Sequence, residues 1–425
     1  MNNQSLNPLS TENIKIAYIH SMSFPNNEAN AFDAIWTAAA LSNSVDVTFI
    51  VKSKRTSKSN IFKYYYILGS SLRFRSLLLN WIPDSVLLRI KDYFEKAVLL
   101  YLRFHPSWAG YKGKKVLYAR NPKTLRYIGL KRKNSNWLHN WILIYESHDP
   151  LGFSPTEIEG KNPFEVKAND KDSYPQQILE ASRNFDAMIC NTKALADDIQ
   201  KWTKGEVTPN VINIASPLPR LENPPKITFG EKITIGYIGT IDQFRGVDIL
   251  LESLKFLPEN YMIRLVGRFR QEPNVDPNWL GKFRADASNK NRLEINILDH
   301  IADVKAEIDR CDILVQTASQ EILDSRYATP QKSYGYMMRG KPIVVGNVPC
   351  HHEIFTEGVN AVFYNLNPKN LADTIINLVN DQSLANRIAI GAWFLSADYS
   401  FAHRASKIFH LVDSITKEEK NNKIR

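Results

Sequence analysis

Residues 327–345 read YATPQKSYGYMMRGKPIVV and predict a helix followed by a buried strand. The helical residues end near Gly340, a residue type that favours helix ends, and Pro342 prevents the helix from continuing. Thr329 is a predicted cap for the first turn, which also contains Lys332. Because the amide groups at a helix start attract anions, this turn is a candidate binding site for a diphosphate.

Strand-length apolar segments alternate with helix-length segments on both sides of PLPRLENPPKITFG, residues 217–230, which contain four prolines. We therefore expect a linker there, with a hinge at Leu218–Gly230. The strands predicted before the linker are Ile14–Ile19, Val45–Val51, Lys115–Tyr118, Ile142–Tyr145 and Ala187–Cys190. Those predicted after it are Ile233–Ile238, Met262–Val266, Glu294–Ile297, Ile313–Gln316, Pro342–Val345 and Ala361–Tyr364. This alternation predicts an α/β fold of two Rossmann-like domains that face each other across a cleft.

Basic residues are concentrated in the first half of the chain. Residues 51–140 contain 20 Lys and Arg residues and three acidic residues, a net charge of +17, whereas the rest of the chain sums to −7. This asymmetry indicates either an anionic partner or a solvated basic surface. An anionic membrane surface that contacts residues 52–141 is one candidate partner. Nucleic acid is not expected, because no recognised nucleic-acid-binding module is present.

Two segments of this basic region, residues 70–82 and 86–104, mix aromatic and aliphatic residues with Lys and Arg, a composition that suits a membrane interface. The alternative for the second segment is an ordinary core helix. The three cysteines suit no disulfide framework, and the polar start lacks the pattern of a cleaved secretory signal. No apolar stretch reaches the length of a spanning helix. We therefore expect a cytoplasmic protein, with peripheral attachment to the inner face of the plasma membrane as an option.

A second candidate anion site lies in GYIGTIDQFRGVDILLESL, residues 236–254. A predicted strand ends at Gly239, a helix starts near Val247, and Arg245 between them can pair with a phosphate. Taken alone, Arg245 fits a surface residue before a helix better than it fits a ligand-binding residue.

The segments RYATPQKSYGYMMRGKPIVV and GYIGTIDQFRGVDILLESL resemble the donor-site segments of glycosyltransferase family 4, the retaining glycosyl transferases of group 1 with the GT-B fold. Three more segments are similar to that family in their usual order: IKIAYIHSMSFPNNEANAFDAIWTAAAL, ILIYESHDP and DAMICNTKALADDI. The resemblance implies an acceptor-binding domain over residues 1–218, which contains the basic insert of about 52–141. It also implies a nucleotide-sugar-binding domain over 219–395, and a helix and tail over 396–425 that return to the first domain.

Carried over position by position, the resemblance implies a donor site that needs neither a metal nor a cofactor. Arg245 and Lys332 would contact the donor diphosphate. Thr240 stands where the family commonly has an arginine, for which Arg268 or Arg326 would compensate. The implied donor-binding residues are Gly239, Thr240, Arg245, Arg268, Arg326, Thr329, Pro330, Lys332 and Gly335.

Both members of the family's glutamate pair are absent. Their positions fall near Tyr327 and at Gly335, and the second glutamate usually grips the ribose. A glycine within a helix costs about 1 kcal/mol relative to alanine, so a requirement other than helix stability places it there. Either Glu321, Asp324 or Ser325 holds the donor differently, or the protein has lost activity.

His148, in ILIYESHDP, falls where the family has an active-site histidine close to the transferred sugar. There it can donate a hydrogen bond without acting as a nucleophile, and the alternative is a structural histidine. Strand alternation places Glu146 on the same side, where it can orient the imidazole. The residues predicted to lie near the cleft on its acceptor side are Phe24, Pro25, Asn30 and Asp33.

These features predict a glycosyltransferase that moves a hexose-type sugar from a nucleoside diphosphate sugar to a glycan or lipid-linked acceptor, with retention, in the synthesis of a cell-surface polysaccharide or glycolipid. Two alternatives stay open. The first is a non-catalytic relative that binds a glycan, a lipid or a partner protein, and the second is a sugar-nucleotide epimerase.

Overall fold

The computed structural model describes residues 13–26, 28–54, 56–67, 69–77, 92–165, 170, 172–271, 275–286, 291–298, 303–320, 323–329 and 331–424. The chain forms two compact units. The N-terminal unit consists of Met1–Asn213 and Phe401–Arg425, and the C-terminal unit of Ile214–Ser400. Each boundary lies five residues from the one predicted at 218 or 395.

Seven parallel strands form the sheet of the N-terminal unit, in the order β3-β2-β1-β4-β5-β6-β7. They are β1 (Ile14–Phe24), β2 (Asp46–Lys54), β3 (Arg73–Ser76), β4 (Lys114–Ala119), β5 (Trp141–Ser147), β6 (Ala187–Cys190) and β7 (Asn210–Val211). The central strands are mostly apolar and mostly buried, because both faces of a parallel sheet are covered. All seven residues of β5 are buried, for example.

Some of the helices between these strands begin at a residue whose side chain caps the first turn. They are α1 (Ala29–Leu41), α2 (Lys58–Tyr64), α3 (Tyr93–Phe104), α4 (Pro106–Ala109), α5 (Pro122–Arg132), α6 (Pro155–Ile158), α7 (Tyr174–Arg183) and α8 (Lys193–Trp202), with a 3-10 helix at Asn136–Asn140. Asn121 Oδ1 accepts the Lys123 N–H at 2.9 Å, and Thr192 Oγ1 accepts the Leu195 N–H at 3.3 Å. Each contact satisfies one of the amide groups that a helix start leaves unpaired.

Six parallel strands form the sheet of the C-terminal unit, in the order β10-β9-β8-β11-β12-β13. They are β8 (Ile233–Ile238), β9 (Tyr261–Gly267), β10 (Leu293–Ile297), β11 (Ile313–Gln316), β12 (Ile343–Gly346) and β13 (Val362–Tyr364). The helices are α9 (Val247–Ser253), α10 (Trp279–Ala285), α11 (Val304–Asp309), α12 (Gln331–Met338), α13 (Pro349–His352), α14 (Pro368–Asn380) and α15 (Gln382–Leu395). Two Rossmann-like units are therefore present, and the predicted fold class is confirmed.

The last helix, α16 (Phe401–Ile424), belongs to the N-terminal unit although it follows the C-terminal unit in the chain. Trp36 of α1 stacks on Phe401 with ring centroids 5.8 Å apart. Ile408 and Val412 lie in the hydrophobic core of the same unit. The prediction that the final helix returns to the first domain is confirmed.

The segment predicted as a hinge, Leu218–Gly230, is fastened to the C-terminal unit. Leu221 N donates to the Met338 carbonyl at 3.0 Å, and its own carbonyl accepts from Trp393 Nε1 at 2.9 Å. Arg220 lies over the Trp393 ring, 3.6 Å from its centroid. The chain changes unit after Asn213, so the structure assigns this segment to the C-terminal unit, and a hinge within it stays a prediction.

The structure changes the interpretation of the basic insert. Arg73–Ser76 form the edge strand β3 beside β2, and Phe74 packs against the core. In α3, Phe94, Val98 and Leu102 are buried, which favours the core-helix alternative for that segment. Residues 78–91, in the middle of the insert, lie outside the described residues. Among the helices that the structure describes, none combines the length and the apolar character that crossing a membrane requires.

Candidate functional site

Both sheets reverse their strand order at one place. This switch point lies between β1 and β4 in the N-terminal unit and between β8 and β11 in the C-terminal unit. Open parallel sheets bind ligands outside the carboxyl ends of the strands at such a point. The residues that follow these strands are therefore the first candidates for a functional site in each unit.

In the N-terminal unit, five charged or titratable residues form what we call the ion cluster: Asp33, Arg120, Glu146, His148 and Arg404. Asp33 lies on α1, Arg120 directly follows β4, and Glu146 lies on β5. His148 directly follows β5, and Arg404 lies on α16. Three of the predicted site residues, Asp33, Glu146 and His148, are thus brought together.

Glu146 is the centre of the ion cluster and has no solvent exposure. One carboxylate oxygen, Oε1, contacts His148 Nε2 and lies 2.5 Å from Arg404 Nη2. The other, Oε2, accepts the hydroxyl hydrogen of Tyr118. The predicted orienting contact between Glu146 and the imidazole is present in the structure.

Arg120 links the remaining members. Its Nη2 lies 2.8 Å from Asp33 Oδ2, 2.6 Å from His148 Nε2 and 3.6 Å from Glu146 Oε1. Nη1 donates to Tyr18 Oη at 3.3 Å and to the Asn30 carbonyl at 3.4 Å. Two buried carboxylates therefore share the cluster with two buried guanidinium groups, which is how buried charges are stabilised.

These contacts keep Glu146 ionised. Burial alone would raise the pKa of its carboxyl group, but Arg120, Arg404 and His148 together hold that pKa well below its usual range. A carboxylate that stays charged can keep accepting a hydrogen bond from the imidazole. His148 itself is one-fifth exposed at its side chain, so it is the member of the cluster that can reach a substrate.

Asp33, Glu146 and His148 each place a possible metal-ligand atom within 4.8 Å of the others. Carboxylate and imidazole groups are common metal ligands. However, the Arg120 guanidinium contacts both Asp33 and His148, so a cation already occupies the space between them. A divalent ion there would have to displace Arg120 against charge repulsion. The arrangement favours an ion cluster over a metal centre, and a metal-independent reaction stays a prediction.

The buried imidazole of His20, on β1, leads us to expect that the protein loses stability in acid. Burial, reinforced by the charge of Arg120, lowers the pKa of its imidazole to about 3, below the value of about 6.5 in an unfolded chain. The unfolded state therefore binds more protons below pH 6.5, and the stability contributed by neutral His20 is lost as the pH falls from about 6.5 to 3. We expect this linkage to remove about 2–3 kcal/mol between pH 7 and 4.5.

Denaturant unfolding at pH 7 and pH 4.5 measures this effect. In His20→Phe, which keeps an aromatic ring beside Phe24 and Phe49, the difference between the two pH values should shrink by that amount. The exposed His139→Phe serves as the control and should behave like the wild type. Equal acid sensitivity in His20→Phe and the wild type would contradict the assignment.

In the C-terminal unit, Lys332 lies at the carboxyl end of β8. Its Nζ donates to Tyr237 Oη at 2.9 Å and lies 4.3 Å from the centroid of that ring. Tyr237 Oη in turn donates to the Thr240 carbonyl at 2.6 Å. A Cβ built on Gly239 would lie 3.0 Å from Lys332 Cε, so the glycine makes room for the lysine stem. The structure therefore brings Gly239, Thr240 and Lys332 together.

Arg245 lies in the turn between β8 and α9. Asp242 Oδ1 accepts the Arg245 N–H at 2.8 Å, and Oδ2 lies 3.1 Å from Arg245 Nε. Asp242 is buried, whereas 42% of the Arg245 side chain is exposed. The turn closes at Gly246, with a φ of 71°, where a Cβ would overlap the carbonyl of Ala318, two residues after β11. Asp242 thus fixes the guanidinium while much of it faces solvent.

Gly335 lies on the buried side of α12. A Cβ at this position would lie 3.0 Å from Leu218 Cδ1 and 3.6 Å from Ile308 Cδ1. A larger residue here would need the end of the Leu218 side chain to move by a few tenths of an ångström. Part of the helix that would carry the ribose contact is therefore packed against the core.

Of the other donor-site predictions, Arg268 lies beside the turn between β8 and α9, because its backbone carbonyl accepts the Ile241 N–H at 2.8 Å, next to Thr240. Arg268 directly follows β9, and the Arg326 guanidinium lies 5.7 Å from the centroid of the Tyr327 ring. Thr329 accepts the Gln331 N–H through its backbone carbonyl at 2.8 Å. Pro330 lies outside the described residues.

The residues predicted on the acceptor side of the cleft differ in their burial and contacts. Phe24 has no solvent exposure and packs edge-on against Phe49, so its prediction as a cleft residue is corrected: it is a core residue. Pro25 is partly buried and Asn30 is exposed, with the Asn30 carbonyl on Arg120. Asp33 is the member of this group that joins the ion cluster.

Several site residues escaped the sequence analysis. Arg120 directly follows β4, so the rule that selected His148 at the end of β5 would have found it. Gln316 ends β11 and accepts the hydroxyl of Ser333 on α12 at 2.9 Å, which the same rule would have found. Arg404 carries no sequence signal, because it lies 258 residues from Glu146.

Several solved structures are similar to this chain over most of its length. HepE from Anabaena, solved in complex with UDP, is 15% identical with a TM-score of 0.65, over 95% of this chain and 100% of HepE. Sucrose-phosphate synthase from Thermosynechococcus elongatus is 14% identical with a TM-score of 0.65, over 95% of this chain and 99% of its own. WaaG, a glycosyltransferase involved in lipopolysaccharide biosynthesis, is 12% identical with a TM-score of 0.58, over 92% of this chain and 98% of its own. At these identities the likeness shows the fold.

The family comparison adds sequence-level information. Residues 232–381 match the family described as Glycosyl transferases group 1. No curated protein matches the chain. The matched segment contains the two stretches, residues 236–254 and 327–345, on which the resemblance rests. The chain therefore has the two-domain GT-B fold of these structures, and its residues 232–381 match the glycosyl transferases group 1 family.

Proposed function

We propose that the protein is a glycosyltransferase that moves a hexose-type sugar from a nucleoside diphosphate sugar to a glycan or lipid-linked acceptor, with retention of configuration. The observation that carries this proposal is the family match over residues 232–381, which includes Arg245 and Lys332. Solved structures of HepE contain UDP and UDP-glucose, which supports a nucleotide-sugar donor. WaaG acts in lipopolysaccharide biosynthesis, which supports a role in making a cell-surface polysaccharide or glycolipid.

At the donor, the chemistry required is stabilisation of negative charge. As the glycosidic bond to the diphosphate breaks, charge builds on the leaving phosphate oxygens. Lys332, held by Tyr237, and Arg245, held by Asp242, are fixed cations that can meet this charge without reorganising. Neither a metal nor a cofactor is needed in this scheme.

In the N-terminal unit, His148 would contact the transferred sugar. The Glu146 carboxylate orients the imidazole and compensates a positive charge on it. Glu146 is fully buried and already bonded by Tyr118 and Arg404, so it is not proposed as a nucleophile. The ion cluster thus supplies hydrogen bonding and charge at the sugar, and no covalent intermediate with the protein is assigned.

Calorimetry with a panel of nucleotides and nucleotide sugars, including UDP and UDP-glucose, tests this function. We expect micromolar to millimolar binding of at least one nucleoside diphosphate sugar, and release of the nucleotide when an acceptor is present. Binding without transfer to any acceptor, together with donor conversion in the absence of one, would instead indicate an epimerase. If the protein binds no nucleotide and no nucleotide sugar, the proposed glycosyltransferase function is contradicted.

The second candidate function is a catalytically impaired relative that binds a glycan, a lipid or a partner protein. Gly335 is the observation that favours it, because the residue lacks the carboxylate that grips ribose in the family and packs beside Leu218. This candidate predicts binding of a glycan or lipid with no nucleotide affinity. The same calorimetry separates the two candidates.

We propose an anionic membrane surface as the place where a lipid-linked acceptor is met, with peripheral attachment on the cytoplasmic side. The exposed face of α3 mixes charge and apolar surface: Leu100 is 59% and Phe104 64% exposed, and the Arg103 guanidinium lies 5.1 Å from the Phe104 ring. Interfacial binding combines apolar side chains in the headgroup region with cations near anionic lipid.

Liposome flotation of the full chain tests the attachment. We expect binding to vesicles that contain an anionic phospholipid, weakening at higher salt, and at least a fivefold loss in the variant Leu100→Ser/Phe104→Ser. Phe256→Ser, at an exposed aromatic residue of the C-terminal unit, is the matched control and should float like the wild type. Equal flotation on neutral vesicles would contradict an electrostatic contribution.

A further inference from the structure

The buried side chain of Arg404, on α16, makes polar contacts with four other residues. Its side chain is 1% exposed. Nη2 lies 2.5 Å from Glu146 Oε1, and Nε donates to Thr37 Oγ1 at 3.1 Å. Nη1 donates to the carbonyl oxygens of Ile212 at 2.9 Å and Asn213 at 2.5 Å. One guanidinium therefore joins β5, α1 and the residues just after β7.

These contacts lie at the two places where the chain changes unit. The N-terminal unit ends its first segment at Asn213, and its second segment starts at Phe401. Arg404 follows this restart by three residues and bonds the last two carbonyl groups before the exit. The same side chain therefore fastens the leaving and the returning segments to the carboxylate of Glu146.

Arg404 also supplies one of the two guanidinium charges that balance the carboxylates of the ion cluster. Asp33 and Glu146 balance Arg120 and Arg404, so loss of Arg404 leaves one buried negative charge without a partner. Arg120 does not replace it, because its Nη2 lies 3.6 Å from Glu146 Oε1 and also bonds Asp33. Without Arg404, Tyr118 would still hold Oε2, but Oε1, the oxygen that contacts His148, would lose its nearest cation.

We propose that Arg404 is a positioning residue for the transfer step: it holds the Glu146 carboxylate against His148 and thereby orients the imidazole at the sugar. The role is indirect, because Arg404 contacts Glu146 and three groups of the scaffold. This inference rests on the proposed glycosyltransferase function, since the sugar is the group that His148 would meet.

The test is a double-mutant cycle on the full chain, with Arg404→Met, Glu146→Gln and the double variant. Arg404→Met is expected to lower kcat at least tenfold while the donor Kd stays within twofold, because the donor groups lie in the C-terminal unit. The double variant should be no less active than Glu146→Gln alone, since residues that act as a unit are not additive. The control is Lys417→Met, which removes an exposed lysine that pairs with Asp413 on the same helix. It should keep wild-type kcat.

Thermal unfolding of the same variants gives a readout that needs no substrate. Each single variant leaves a buried charge unpaired, whereas the double variant restores the balance, so its Tm should exceed that of Arg404→Met. Additive Tm shifts would overturn the coupling even if the wild type transferred no sugar. Absence of transfer by the wild type, with coupled Tm shifts, would instead contradict the proposed function.

Arg404→Lys covers the case in which Arg404→Met does not fold. Lysine keeps the charge but lacks the planar fork that reaches Glu146 and the two carbonyl groups together. We expect a lower kcat with an unchanged donor Kd. Wild-type kcat in Arg404→Lys, or losses that multiply in the double variant, would overturn the positioning role.

Discussion

Replacing Arg120 with leucine is expected to lower the free energy of unfolding by about 3–5 kcal/mol, because it leaves the buried Asp33 carboxylate without its partner. The Arg120 side chain is 1% and the Asp33 side chain 2% exposed, and their atoms lie 2.8 Å apart. In such a site water cannot take over the lost interaction. Denaturant unfolding of the full chain at pH 7 measures the change.

An exposed pair provides the matched control. Lys133 and Glu180 lie 2.9 Å apart with side chains 66% and 42% exposed, so Lys133→Leu should cost less than about 1 kcal/mol. The double variant Arg120→Leu/Asp33→Leu should recover part of the loss, since it removes the unpaired carboxylate as well. If Arg120→Leu costs no more than Lys133→Leu, burial of the ion cluster is not what makes the pair important.

Replacing Lys332 with methionine is expected to lower kcat by about 10²–10³-fold, the loss typical of removing one preorganised group that stabilises transition-state charge. Methionine keeps an unbranched stem of similar length beside Gly239, so the change removes the charge with little change in packing. The donor Kd should rise as well, by about tenfold or more, because a charge-assisted hydrogen bond is worth about 1.5–3 kcal/mol. Steady-state kinetics and calorimetry with the nucleotide sugar separate the two effects.

Two further variants show whether position or charge matters. Lys369→Met removes a cation paired with Asp373 on the exposed side of α14 and should leave both constants unchanged. Tyr237→Phe keeps the ring under Lys332 but removes the hydroxyl that accepts from Nζ at 2.9 Å, and should give a smaller loss of kcat. A donor Kd and kcat of wild-type size in Lys332→Met would remove this lysine from the diphosphate site.

The strands that the sequence predicted well are those buried on both faces. The predicted bounds of Ile233–Ile238, Ala187–Cys190 and Ile313–Gln316 agree with the structure, because continuous apolar runs mark central parallel strands. The missed strands, Arg73–Ser76 and Asn210–Val211, lie at the two edges of the N-terminal sheet. Edge strands are short and partly polar, so their sequences resemble those of loops or surface segments.

Local sequence also predicted part of the candidate site. Glu146 and His148 lie two residues apart on one strand end, so alternation was enough to place them on the same side. Lys332 was placed correctly in the first turn of its helix, since the turn and the following Gly340 and Pro342 are local signals. The aromatic residue Phe24 was misplaced because a sequence motif does not show which side of a strand faces the core.

By itself, the sequence determined the alternation of strands and helices, the two Rossmann-like units and the helix turn that carries Lys332. Each of these depends on residues a few positions apart, and local spacing is what a sequence displays directly. Tertiary structure alone decided that Arg404 completes the cluster around Glu146, and that Gly335 packs beside Leu218. Buried charges and close packing depend on groups that meet from distant parts of the chain, and the order of residues does not record that meeting.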